Sequence, residues 1–366
     1  MVVVEKRRAV ADIVEHPRAF VLVAVALVGL AGCGLSPAPE GAATDAQGPQ
    51  PVDSCTTITE PGRYALTGDI ADSEADTCIR IRSDDVVLAG RDHRVDGVGA
   101  FGTAGVVVRP DGGGPLENVT VRNVTVTGWD DGVRYVRVVD GAVVGTTTAD
   151  NRVGLSLLNA RDNRVADNVA RDNRLRGVSL LEASANNTVV NNTAIDNALF
   201  GIHVVEGGAR NNTLAGNTAS NNEFGIAVVG AHGNTVTGNT AAGNRIAGVW
   251  LVAARDNRVA RNAVSDQFYG VFLSDRSGGN AVADNVAASN AVGIRLRSSD
   301  GNRIADNTVR SSGDTAVLLI SSDDNAVVGN VGSDNARGIS VVRSAGNSLA
   351  NNSISVSESG PGSGES

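Results

Sequence analysis

His203 has Glu206 three places after it and Glu182 one repeat before it. An imidazole beside carboxylates can take and return a proton near neutral pH, so these three are the candidate catalytic residues. A second group suits binding instead. Trp250, Phe272 and Arg295 follow one another at nearly equal steps. Flat rings held on a rigid face, with a guanidinium beside them, offer large contact area at little entropic cost, which suits sugar rings. Metal chemistry is poorly supplied. Beyond Cys33 the chain has His93, His203, His232, Cys55 and Cys78 and no methionine, a thin set for copper, which prefers His, Cys and Met. Asp284 with Asp306, and Asp172 with Asp196, pair carboxylates that a calcium ion would accept, but two carboxylates do not complete a site. No metal and no cofactor is expected.

The even step between these side chains is a property of the whole chain. Asn-x-apolar-x-x-Asn starts at Asn163, Asn187, Asn212, Asn234, Asn257, Asn280, Asn302, Asn325 and Asn347, a mean step of 23. Gly-apolar-x-apolar starts at Gly132, Gly154, Gly177, Gly201, Gly225, Gly248, Gly270, Gly293 and Gly338, with Ala316 in the Gly position of one repeat. Apolar residues one and three places after that Gly alternate at period 2, which predicts a strand with one face buried. A unit of short strands that cannot bury its own face must stack on copies of itself. With aromatics at 3% of the chain, the core between the strands is expected to be Val, Ile, Leu and Ala. The residue two after each Gly then points outward, which places His203, Trp250, Phe272 and Arg295 in one column. The recurring Asn residues are assigned to the corners, where Asn tolerates a left-handed backbone and can bond from rung to rung.

These repeats resemble the right-handed parallel β-helix of the NosD-type and of the carbohydrate-binding and sugar hydrolase families. The resemblance covers about 75 to 356 and implies an all-β solenoid of about twelve coils with a roughly 23-residue repeat. It implies little about activity, because one fold hosts many functions. Polysaccharide lyases, hydrolases and epimerases use this fold. Asp84-Asp85, Asp130-Asp131 and Asp323-Asp324 resemble the paired acids of pectin hydrolases, whose Gly-His-Gly and Arg-Ile-Lys are absent here. The NosD resemblance also implies copper handling, which the donor count opposes. Cys55 and Cys78 are one period apart. Stacked on adjacent rungs about 4.8 Å apart they are within reach of a disulfide, and residues 54–90 resemble the amino-terminal cap of haloarchaeal members.

The chain's address is read from its first residues. Lys6, Arg7, Arg8 and Arg18 precede a short apolar run, Ala19 to Ala31, too short to span a bilayer and suited to an export signal. Leu30-Ala31-Gly32-Cys33 resembles a lipoprotein lipobox, which implies a lipid on Cys33 and a membrane tether through that lipid. Residues 1–33 are therefore read as signal, 34–53 as a flexible tether, 54–356 as the β-helix and 357–366 as a disordered tail. Without residues 1–33 the balance is 27 basic against 37 acidic groups, or −10, which disfavours nucleic acid as a partner. One Lys against 30 Arg resembles halophile composition. Six asparagines, Asn118, Asn123, Asn186, Asn191, Asn211 and Asn351, lie in Asn-x-Ser/Thr sequons that admit N-glycosylation.

The resulting expectation is a lipid-anchored cell-surface protein, non-catalytic, that binds polysaccharide or serves as a rigid scaffold. One alternative is a polysaccharide lyase, hydrolase or epimerase using His203, Glu206 and Glu182; a second is a NosD-like accessory to a copper enzyme. The open strand edges after Val356 admit an oligomer.

Overall fold

The computed structural model of the chain describes residues 48–205 and 208–357. The export signal with Cys33, most of the expected tether, Glu206 and residues 358–366 lie outside the described residues. The rest is a parallel β-solenoid, and no helix occurs among the described residues. Each coil contributes one strand to each of three parallel sheets, of 14, 13 and 13 strands. Two sheets are built mainly of three-residue strands such as Thr188–Val190 and Thr193–Ile195. The third is built mostly of six-residue strands such as Phe200–Val205 and is called here the long sheet.

The solenoid begins earlier than expected. Gln50–Val52 pairs with Tyr64–Leu66, and Thr56–Ile58 pairs with Ile79–Ile81, so the long sheet has thirteen rungs rather than twelve and the first strand lies inside the expected tether. Val52 and Ile58 are buried in the core. These coils lack the Asn and Gly motifs that carry the period, which is why their strands are not visible as repeats. The core is mainly Val, Ile, Leu and Ala, with three large exceptions, Tyr64, Trp129 and Tyr135. Trp129 is accommodated because Gly97 has no side chain; a Cβ there would come 2.7 Å from the indole.

Three columns of asparagine hold the coils in register. Asn239 is representative. Its Nδ2 donates to Leu214 O at 2.9 Å and to Asn262 Oδ1 on the next rung at 2.9 Å. Its Oδ1 accepts from the N–H and the Nδ2 of Asn217, both at 2.9 Å. Two donors and two acceptor lone pairs are thus all used, so the buried amide is fully compensated for the water it has lost. The second column repeats this through Asn285 and Asn307, the first through Asn187 and Asn212. Gln267 takes the place of Asn in the third, between Asn244 and Asn290. The columns keep a constant five-residue spacing in every coil from Asn163 to Asn330, while the segment holding the long strand varies in length from coil to coil.

The left-handed corners belong to a different residue than expected. Positive φ falls on the residue before each ladder amide: Asp162 before Asn163, Asn186 before Asn187, Asn211 before Asn212 and Gly233 before Asn234. The ladder residue itself must point inward to reach its neighbours, so the preceding residue makes the turn. All six sequon asparagines have positive φ and are exposed; Asn186, Asn191, Asn211 and Asn351 each precede a ladder amide, whereas Asn118 and Asn123 precede Val119 and Val124.

The Gly of the second motif is also explained by the ladder. A Cβ on Gly225 would lie 2.6 Å from Gly248 O and 2.9 Å from the Asn244 Nδ2, closer than real Cβ atoms approach. Cys55 and Cys78 form a disulfide with Cα atoms 4.3 Å apart, in line with the Thr56–Ile79 register.

Asn239→Ala removes four side-chain hydrogen bonds and strands buried partners on both neighbouring rungs. We expect a loss of about 4 kcal/mol, read as a lowered midpoint in denaturant titration, whereas Ala at the exposed corner residue Asn211 should cost under about 1 kcal/mol.

Candidate functional site

The outward side of the long sheet departs from strict alternation. Its register runs Asp131–Val153–Arg176–Phe200–Phe224–Ala247–Tyr269, skips the Gly on each rung, and resumes at the inward residue after it. The pairing is therefore interrupted at the Gly with no change of register, and the residue before it faces outward together with the residue two after it. On the rung of Phe200 and His203 the two rings lie parallel, 4.2 Å apart. Strict period 2 would have put Phe200, Phe224 and Tyr269 inside, so these residues were missed. The available signal was an aromatic directly before Gly201, Gly225 and Gly270.

From these two outward columns an aromatic stack forms across four rungs. Phe200 stacks on Phe224 at 5.4 Å, Phe224 on Trp250 at 4.3 Å, and Trp250 on Phe272 at 6.3 Å. Size alternates between the columns: Phe224 is paired with Ala227, and Trp250 with Ala247. The indole thereby leans across the small residue of its own rung to meet Phe224. Arg295 closes the stack, its guanidinium carbon 4.8 Å from the Tyr269 centroid and 5.3 Å from that of Phe272, a cation–π arrangement. The expected exposure of Trp250 and Phe272 is corrected here. Phe272 is buried and Trp250 half-buried, because the ring faces cover each other and only edges meet solvent. Phe268 remains exposed at this end.

The other end of the same face is polar. Arg152 makes a two-point ion pair with Asp130, and Arg134 lies 3.4 Å from Asp131. Burial raises the Asp131 pKa, partly offset by Arg134 and Arg152. Arg176, one rung on, has no ion pair among the described residues; burial lowers its pKa, and Arg152 adds to the effect. Ser156 and Ser179 are buried beneath these side chains. A cavity of about 300 Å³ opens beside them, lined by Gly99, Phe101, Asp130, Arg152, Arg174 and Leu175. Phe101 is 87% exposed at its rim and stands 5.7 Å from the Arg152 guanidinium carbon.

The candidate acid–base group is not assembled among the described residues. His203 is buried against Phe200, its Nδ1 has no hydrogen-bond partner, and no carboxylate among the described residues pairs with it. Burial, then the charge of Arg176, pushes its pKa down to about 3, so the ring is neutral and weakly basic near pH 7. Glu182 is exposed at the end of the preceding rung, where Asn159 donates to it. No three His, Cys, Asp or Glu side chains gather into a metal site among the described residues. His93 lies against Asp69 at 3.3 Å, and His232 stands exposed in a corner column between Arg210 and Arg255.

A histidine with a lowered pKa resists protonation in the fold but not in the unfolded chain, where it titrates near 6.5. Its contribution to stability is therefore intact above about pH 6.5 and lost as pH falls toward 3. Relative to His203→Phe, which keeps the stack and does not titrate, the parent should lose about 1.4 kcal/mol per pH unit between pH 5.5 and 3.5, measured by denaturant titration.

The pattern of a family described as periplasmic copper-binding protein (NosD) matches residues 79–267 and 242–365. No curated protein matches the sequence. Among solved structures, the A-module of mannuronan C-5 epimerase AlgE6 from Azotobacter vinelandii is similar at 17% identity and TM-score 0.54, over 82% of this chain and 80% of that one. The Dettilon tailspike protein is similar at 16% and 0.55, over 79% and 60%. DFA-IIIase from Arthrobacter chlorophenolicus A6, without its lid, stands at 14% and 0.52, over 81% and 86%. These likenesses extend to the fold alone. The described side chains do not fit copper: both described cysteines are bonded to each other, and His93, His203 and His232 occupy different rungs and columns. Repeat, sheet order and family pattern nevertheless coincide along the solenoid, and the chain belongs to the NosD family.

Proposed function

We propose that this protein is an exported, non-catalytic glycan-binding solenoid that lays a polysaccharide along the outer face of its long sheet. One observation carries the reading. Six of the chain's eleven aromatic residues, Phe200, Phe224, Trp250, Phe268, Tyr269 and Phe272, lie on four adjacent rungs, and toward the polar end of the same face is a cavity large enough for a sugar ring. The rung spacing of about 4.8 Å is close to the length of one sugar unit, so a chain can follow the solenoid axis. The similar fold of a mannuronan C-5 epimerase module supports a polysaccharide as the ligand. His203, neutral and without a carboxylate partner among the described residues, supports binding over hydrolysis. The family's periplasmic description supports export, and Cys33 is proposed as the lipid-bearing anchor on the outer face of the membrane.

The aromatic stack is a ridge that shapes the face, whereas Phe101 is free to meet a ligand. With the full chain carrying Cys33→Ala, polymer and protein should co-elute from a size-exclusion column with polymer length unchanged; shortened polymer would make this an enzyme. Phe101→Ala should abolish co-elution without moving the melting temperature. Trp250→Ala should instead cost about 2 kcal/mol of stability.

The anchor has its own readout. The parent should fractionate with membranes and Cys33→Ala should be released into the soluble exported fraction; equal membrane retention of both would remove the lipid from this account.

A further inference from the structure

The polar end of the long sheet carries four guanidinium groups, Arg134, Arg152, Arg174 and Arg176, against two carboxylates, Asp130 and Asp131, in a chain whose formal charge is −9. Arg152 and Arg134 are paired with those carboxylates. Among the described residues Arg174 reaches only the Trp129 carbonyl, at 3.4 Å. Arg176 makes neither an ion pair nor a side-chain hydrogen bond among the described residues, and its Nε is buried without a partner. Around it lie two further polar atoms without partners, Ser179 Oγ and His203 Nδ1, on residues 0% and 4% exposed. The register places Ser179 on the rung of Arg176 and His203 on the next. A half-buried cation that has no ion pair and feels only the more distant charge of Asp131, and buried polar groups without hydrogen bonds, each cost free energy. Other buried atoms of this chain, such as the Nε of Arg82, Arg122 and Arg295, are also unpaired; what distinguishes this place is that three such atoms, on Arg176, Ser179 and His203, fall on two adjacent rungs beside a cavity.

We propose that Arg176, flanked by Arg152 and Arg174 and floored by Ser179 and His203, is an anion subsite for the carboxylate or sulfate group of an acidic glycan. Arg176 presents the planar donor fork that such groups accept in pairs. His203 is held neutral, so its ring can offer either a donor or an acceptor without repelling Arg176. The subsite adjoins the cavity under Phe101, which puts the charged substituent beside the space for its sugar ring. This inference rests on the glycan-binding reading and names the class of glycan.

The test uses the full chain with Cys33→Ala and four polymers: mannuronan and carboxyl-reduced mannuronan, dextran sulfate and dextran. At low salt the parent should bind at least one acidic polymer at least tenfold more tightly than its neutral counterpart. Arg176→Gln and, as a second variant, Arg174→Gln should each erase that preference. Arg176→Gln should melt at the parent's temperature or above it, since an uncompensated charge has been removed. Equal binding of acidic and neutral polymers would overturn the subsite and leave the glycan reading standing. Inorganic sulfate at millimolar concentration separates the two ideas further. If no polymer binds but sulfate raises the parent's melting temperature more than that of Arg176→Gln, the subsite stands and the glycan reading falls. If sulfate shifts both equally, the subsite falls.

Discussion

A primary amide has two donors and two acceptor lone pairs, and in this protein the middle column uses all four at every step from Asn192 to Asn330. Asn217, Asn239 and Asn262 show the unit: each bonds the amide above, the amide below and a backbone carbonyl of the preceding coil. Buried polar groups stabilise only when fully satisfied, and here satisfaction requires the same residue at the same position on the neighbouring rung. That requirement sets the repeat period, places the corners and forbids a Cβ at Gly225. Removal of one amide leaves unpaired groups on two coils, so the columns tie neighbouring coils together in register, as a solenoid's nearest-neighbour energetics demands.

The face proposed to bind is built on that frame but obeys other rules. At its aromatic end rings cover rings and Arg295 closes the series, with one buried Nε left unpaired. At its polar end several such atoms lie together. Among the described residues, Arg176, Ser179 and His203 have donors and acceptors without partners, next to a cavity. The contrast with the ladders, where nearly every hydrogen bond is made, is what singles out the polar end for the proposed anion subsite.

Much of this was legible in the sequence because the frame is periodic. Asn163 to Asn347 and Gly132 to Gly338 declare the coils, and the spacing of Cys55 and Cys78 led to their disulfide. The outer face was less legible. Strict alternation hid Phe200, Phe224 and Tyr269, since the interruption of pairing at Gly reverses the direction of the residue before it. Trp250 and Phe272 were recognised as outward, but their exposure depends on neighbours one rung away that alternation had placed inside. Sequence alone assigned the left-handed corners to the ladder asparagines, although the turn falls one residue earlier, on Asn186 and Asn211 among others. The amino-terminal strands from Gln50 to Ile58 carry no ladder amide, and without one the period has no marker. Glu206, which completed the expected acid–base group, lies outside the described residues.

The constant spacing of the ladders and the variable length of the long-strand segment separate two kinds of sequence change. An insertion between ladder columns would break amide contacts along the rod, whereas one beside the long strand alters only how far that edge projects. The longest such segments, from Asn173 to Asn187 and from Asn197 to Asn212, belong to the rungs of Arg176 and His203. Relatives of this protein can therefore diversify what they recognise by lengthening or trimming one margin of each coil. Gene duplication of whole coils would, by the same logic, extend the reach of the rod without redesigning it.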